Sequence, residues 1–349
     1  MRKLLLLLAA VSLGQAAFAS QVRVDTLQGS RTVKQDFVEM FAQPSVMWSG
    51  EFGDQVLYEN ATGGFLLSND NESKYGLYFG YNPLVTKLWA QFGSPFDNAP
   101  YTKFDNPLNF FYGRDMGGIK WALNLFYANS KSESNNYEKN ASGLSLGVNG
   151  EGWRADVSVG LAARIKNTSN NQEVKGKGNY RAQVEYDILD DLRLFVDVSN
   201  AEVEGVTTNS TSLTQSQHVL GIERRLNKND NTFFYGVAYS QKKTTGTNIT
   251  SETSTLPVYF GFEAEALSWL VLRGSISQAV LLGTTKSGNF TDTLVGSPTY
   301  AAGAGLKLGS FLVDGRVSFG TAWNNSNPPT DPKLDSSNLM TQVAVTYNF

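Results

Sequence analysis

The sequence contains no cysteine and a single histidine, His218. Without cysteine there is no disulfide scaffold and no thiol nucleophile. With one histidine as well, metal clusters of the Cys/His type are excluded. Beyond the N-terminal region no apolar run approaches the ~20 residues that a membrane-spanning helix needs. Charge is sparse: 17% of residues are charged and the net charge is -3, with a pI near 5.4. That balance lacks the basic footprint of a nucleic-acid partner. No fixed repeat length appears, which excludes a solenoid or propeller. At 349 residues two domains would be ordinary, yet no linker-like break interrupts the middle of the chain.

What the sequence does contain is alternation, from about Gly117 to the end. Ile119, Trp121, Leu123, Leu125 and Tyr127 share one face, against Lys120, Ala122 and Asn124. Trp153, Ala155, Val157, Val159, Leu161 and Ala163 oppose Arg154, Asp156, Ser158, Gly160 and Arg164. A period of two reads as strand, and twelve such segments follow one another. Two more, 63–68 and 75–82, precede them, giving fourteen. Counting 84–92 and 106–115 as well gives sixteen. Short connections ("NGEG" at 149–152, "LDDL" at 189–192, "GS" at 309–310) alternate with long polar ones. Tight turns at one rim and long loops at the other belong to a transmembrane β-barrel with short periplasmic turns and long extracellular loops. Lipid offers no hydrogen-bond partner, so only a closed sheet satisfies every strand. The expected fold is therefore all-β, an antiparallel barrel of about fourteen strands or, alternatively, sixteen. Aromatic residues near strand ends fit interfacial girdles: Trp153, Trp269, Tyr300, Phe311 and Tyr347 at the short-turn rim, Tyr127, Tyr239 and Trp323 at the loop rim.

The ends agree with export. Residues 1–19 have two basic residues, an apolar stretch from Leu4 to Leu13 and small residues up to Ala19, the layout of a secretory signal peptide. Residues 20–61 form an N-terminal segment and 62–349 the barrel, with 20–61 a candidate lumenal plug. The signal peptide, alternating strands, sorted loops and terminal "VAVTYNF" resemble a Gram-negative outer-membrane β-barrel protein. The resemblance implies the bacterial outer membrane as location and its lipids as surroundings. It also implies that Val343, Val345, Tyr347 and Phe349 are the signal read by the barrel-assembly machinery. Residues 35–48 further resemble the lumenal N-terminal segment of fatty-acid-transporter barrels, which have fourteen strands. Gln43-Pro44-Ser45 stands where that family shows Asn-Pro-Ala, a departure from its pattern.

No enzyme is expected and no cofactor is called for. Outer-membrane lipases place a serine two positions after a strand histidine, where this chain has Leu220. Outer-membrane proteases place an aspartate two positions before it, where this chain has Ser216. His218 reads as a rim residue. The informative residues are the charges that alternation turns inward: Lys120, Arg154, Asp156, Arg181, Glu185, Asp187, Arg193, Asp197, Glu223, Arg225, Glu263, Glu265, Arg273, Lys307, Asp314 and Arg316. So many charges either line water or pair with one another, and most lie close to a short turn. They form a mixed-charge belt low in the lumen. Three functions follow as expectations: a porin-like channel passing ions and small hydrophilic solutes, a plugged barrel carrying hydrophobic substrates, or a structural barrel acting through its loops.

Overall fold

A computed structural model describes residues 21–27, 30, 37–49, 53–59, 62–69, 72–80, 106–132, 136–169, 173–206, 211–228, 231–246, 249–281, 284–287, 290–293, 298–320 and 343–348. The strands begin with β1 (Gln55–Glu59), β2 (Thr62–Asn69), β3 (Ser73–Phe79), β4 (Leu108–Asp115), β5 (Lys120–Ser132) and β6 (Tyr137–Gly150). They continue with β7 (Trp153–Asn167), β8 (Glu173–Leu189), β9 (Leu192–Val206), β10 (Thr211–Lys228), β11 (Asn231–Gly246) and β12 (Ile249–Leu267). The last are β13 (Leu270–Leu281), β14 (Thr284–Ser287), β15 (Phe290–Thr293), β16 (Thr299–Leu308), β17 (Phe311–Gly320) and β18 (Val343–Asn348).

Each strand pairs antiparallel with its neighbours, and the sheet closes. β1 lies between β2 and β18, with Gln55 opposite Asn348 and Glu59 opposite Ala344. The short hairpin β14–β15 stays outside the wall: it hangs from the loop end of β12, while β13 pairs directly with β16. The result is a closed antiparallel barrel of sixteen strands.

Sixteen is the alternative count, and the main expectation of fourteen is corrected. The two additional strands are β4, within the anticipated 106–115, and β1. β1 comes from the stretch before residue 62 that alternation had not marked. It holds only Gln55–Glu59, too short a run for a period of two to stand out. Residues 84–92, the signal peptide, Trp323 and Phe349 lie outside the described residues. The strand number also departs from the fourteen of fatty-acid-transporter barrels.

Alternation sorts the two faces. Tyr58, Phe79, Phe110, Leu125, Leu146, Val157, Tyr186, Phe260 and Phe262 are exposed on the outer face. Their sequence neighbours Leu57, Tyr78, Asn109, Phe111, Asn124, Ser145, Asp156, Glu185 and Tyr259 are buried on the inner face. A wall apolar outside and polar or packed inside is the reverse of a soluble sandwich, and it suits lipid on the outer surface. Trp153, Trp269 and Phe311 stand by the short turns, where Phe311 meets Tyr347 with ring centroids 4.8 Å apart. Tyr300, expected at that rim, sits at the opposite one, because β16 starts at the loop side and descends to the turn at 309–310. One further correction comes from a bulge in β7. The β6–β7 register slips between Ser142 and Gly143, and a single extra residue reverses the faces beyond it. Ala163 and Ile165 are therefore buried inside, and Arg164 turns outward to pair with Glu173.

Candidate functional site: the barrel lumen

The interior is occupied by the chain's own N-terminal segment. It comprises a helical turn α1 (Gln21–Thr26) and two 3-10 turns, Phe37–Phe41 and Pro44–Trp48. Pro44 opens the second 3-10 turn, where its fixed φ and missing N–H carry no penalty. α1 runs along β13, β16 and β17, and the Pro44–Trp48 turn along β5, β6 and β7. The segment thus touches opposite parts of the wall.

One part of the wall is apolar. Met40, Phe41, Val46, Met47 and Trp48 pack on Leu57, Leu66, Tyr78, Phe111, Ala122 and Ala344. The Phe41 ring lies 5.1 Å from Tyr78, edge-on, and 5.3 Å from Phe111. The backbone of this half is also held. Asn124 and Ser145 donate to the Phe41 carbonyl at 3.0 and 2.9 Å, and Ser158 donates to the Ala42 carbonyl at 2.9 Å. Lys74 donates to the Met47 carbonyl at 2.9 Å, and the Trp48 indole donates to the Trp121 carbonyl at 3.0 Å. Buried carbonyls away from water need such partners, and here the barrel wall supplies them. Gly147 marks the closest approach: a Cβ there would stand 2.4 Å from the Ser45 nitrogen.

The other part is charged around a second apolar cluster, in which Leu27 packs on Phe195, Phe234 and Tyr259. On β7–β9, Arg154 donates to Glu185 at 2.6 Å, Arg193 to Glu185 at 3.1 Å and to Asp187, and Arg181 to Asp197 at 2.6 Å. The Ser45 amide donates to Asp156 at 2.9 Å, and Gln43 bonds Gln183. On β10–β17, Glu263 accepts from Arg23 at 2.7 Å and also from Arg273, which reaches on to Asp314. Lys307 pairs with Glu265 at 2.8 Å, and Arg316 with Asp25 at 2.8 Å. Ser30 and Tyr259 each donate to Glu223 at 2.9 Å. Two belt residues sit at the rim: Lys120, 3.7 Å from Asp115, and Arg225, which donates to Asn227 at 3.1 Å.

The anticipated charges therefore meet along the wall and through the N-terminal segment. They do not face one another across open water. The reason is spacing: neighbouring strands stand close enough for cross-strand pairs, and the segment fills the middle. Sequence reasoning missed the segment's own contributors, Arg23, Asp25, Ser30, Gln43 and Ser45, because no strand period runs through them. His218 is on the outer, exposed side of β10.

Arg154 and Glu185 are 4% and 1% exposed. Removing one partner of so buried a pair leaves an uncompensated charge, at a cost of about 3–5 kcal/mol. Arg154→Ala is expected to lower the temperature at which the folded, fast-migrating form is lost on a gel. Arg224→Ala, at an exposed outer pair, is expected to change it little.

With the closed wall, the apolar exterior and the aromatic short-turn rim established, the architecture is settled. The fold is that of a bacterial outer-membrane β-barrel. No protein-family profile matches the chain, and no curated protein matches its sequence. Among solved structures it is similar to in-vitro folded OmpT, an outer-membrane protein of Vibrio cholerae, in its trimer form. The TM-score is 0.41 at 12% identity, over 84% of this chain and 94% of that one. It is also similar to BauA, the ferric preacinetobactin receptor of Acinetobacter baumannii, with TM-score 0.43 and 12% identity, over 91% of this chain and 64% of that one. A third is a bacterial polysaccharide outer-membrane secretin, with TM-score 0.40 and 12% identity, over 85% of this chain and 98% of that one.

Proposed function

We propose that the protein is an outer-membrane channel for small hydrophilic solutes, held shut by its N-terminal segment acting as a plug. A barrel of sixteen strands is wide enough to leave an aqueous lumen. The observation that carries the reading is that this lumen is packed: Met40, Phe41, Val46 and Met47 are all 0% exposed. Passage then requires the segment to shift. Once it does, the uncovered wall presents arginines and carboxylates in near balance, and rings of such charges set ion preference. Weak selectivity follows, and removing several of Arg154, Arg181, Arg193, Arg273 and Arg316 shifts preference towards cations.

A second reading draws on the apolar wall around Leu57, Leu66 and Phe111, which suits a hydrophobic substrate moving past a displaced segment. Flux separates the two: hydrophilic solutes cross in the first, and only apolar ones in the second.

The test is a reversible lock in a chain that has no cysteine of its own. The Ser275 hydroxyl donates to the Thr26 carbonyl, so the two positions lie on elements in contact, and oxidation of Thr26→Cys/Ser275→Cys, verified as a cross-link by mass, ties the segment to β13. In a planar bilayer the oxidised variant is expected to show no openings, and reduction to restore those of the wild type. Equal currents before and after oxidation would mean that ions pass without moving this part of the chain.

A further inference from the structure

Two charged side chains of the segment, Arg23 and Asp25, are gripped by the wall in a geometry that points to a binding site. Residues 40–48 combine apolar packing with hydrogen bonds to wall side chains. Arg23, Asp25, Thr26 and Ser30 are held by ion pairs and hydrogen bonds to β12, β17, β13 and β10, while Leu27 packs, fully buried, on Phe195, Phe234 and Tyr259. Buried ion pairs contribute little net stability, because desolvation offsets most of the attraction. They do select partners sharply by geometry. The Arg23 guanidinium lies side-on to Glu263, Nε donating to one oxygen at 2.7 Å and Nη2 to the other at 3.0 Å. Two residues on, the Asp25 carboxylate accepts from Arg316 at 2.8 Å. Thr26 follows, packed where the wall is cut back: a Cβ on Gly303 would stand 2.7 Å from the Thr26 hydroxyl oxygen.

We infer that Arg23 and Asp25 occupy a ligand site from within. In this site Glu263 receives a guanidinium, Arg316 receives a carboxylate, and the ligand class is small solutes carrying both groups. The inference rests on the plug reading above, since the arm must withdraw for a solute to take its place. The receptor survives that withdrawal. Glu263 keeps its bond to Arg273, and Arg273 keeps Asp314, so the carboxylate stays oriented with the arm gone. Arg316 turns to the lumen with its Asp25 partner removed, ready for a carboxylate. A solute with both charges reproduces both arm contacts at once, whereas a simple cation reproduces one.

The probe is L-arginine, and the control is L-citrulline, which has the same shape with a neutral urea in place of the guanidinium, both at matched ionic strength. The variant is full-length R23Q/D25N, which removes the arm's charges while keeping a polar side chain at each position. L-arginine is expected to raise the heat resistance of folded R23Q/D25N, and L-citrulline to leave it unchanged. The effect disappears in R23Q/D25N/E263Q. In the wild type the same stabilisation needs at least about tenfold more arginine, because the arm competes for the site. Equal effects of the two solutes, or an effect that survives E263Q, would overturn the site. Should R23Q/D25N fail to assemble, the wild type decides. L-arginine must increase the frequency of its channel openings and L-citrulline must not, and identical responses overturn the proposal. Arginine-specific stabilisation without current removes the channel reading and leaves the site. Current without arginine preference removes the site and leaves the channel.

Discussion

Deleting residues 21–49 is expected to turn a mostly closed barrel into a persistently open one, with mean current in a planar bilayer at least about tenfold above the wild type, given the aqueous bore that sixteen strands leave. The wall does not depend on the deleted part. All sixteen strands lie downstream of it, and the closing seam joins β1 to β18. What the deletion exposes is a lumen whose inner residues are largely able to accept water. Glu263, Arg273, Asp156, Glu223 and Asp314 are all buried now, and hydration replaces the contacts that the segment supplied. The variant should therefore still fold and still shift its mobility on boiling, while antibiotics and dyes too large for the wild type gain entry to cells. A deleted chain that folds but conducts no better than the wild type would show that the segment is not the barrier.

Phe41→Ala is expected to produce a similar opening by a single change. Phe41 is completely buried, wedged between Tyr78 and Phe111. Truncating a buried phenylalanine costs about 3–5 kcal/mol through lost contact and the cavity left behind. Here that loss falls on docking of the segment, because the partners across the contact are wall residues whose strand pairing is untouched. Each 1.4 kcal/mol is a factor of ten in an equilibrium, so the open fraction should rise by roughly two to three and a half orders of magnitude. Heat resistance of the barrel should change little. The paired observation matters: an equal fall in heat resistance with no gain in opening would place Phe41 in the stability of the wall and not in closure.

Alternation made most of the barrel legible. Strands such as β5 and β8 carry one apolar and one polar face over long stretches, and lipid outside with packing inside enforces that contrast. The inward charges were legible for the same reason, since parity alone decides which way Arg154 or Glu185 points. Parity failed where the backbone broke step, at the β7 bulge that sends Arg164 outward. It failed again at β1, where Gln55–Glu59 is too brief to display a period. The lumen's occupant was the hardest part. Residues 21–27, 30 and 37–49 fold against a concave wall contributed by distant strands, so their order comes from tertiary contacts such as Arg23 with Glu263, and no local pattern announces it. For the same reason the belt could be placed in the lumen from sequence, while its pairing with Asp25, Ser30 and Ser45 could not.

That residues 21–27, 30 and 37–49 fill the lumen is tested most directly by thiol accessibility. Ser275 faces inward on β13, is 8% exposed, and lies under Thr26. Ser275→Cys introduces the sole thiol into a chain without cysteine, and its reaction rate with a small hydrophilic alkylating reagent can be followed in intact outer membranes. A group covered by folded structure reacts only when that structure opens. The account predicts slow labelling in the full-length protein and labelling faster by at least about tenfold once residues 21–49 are deleted. Rapid labelling at the same rate in both proteins would contradict it.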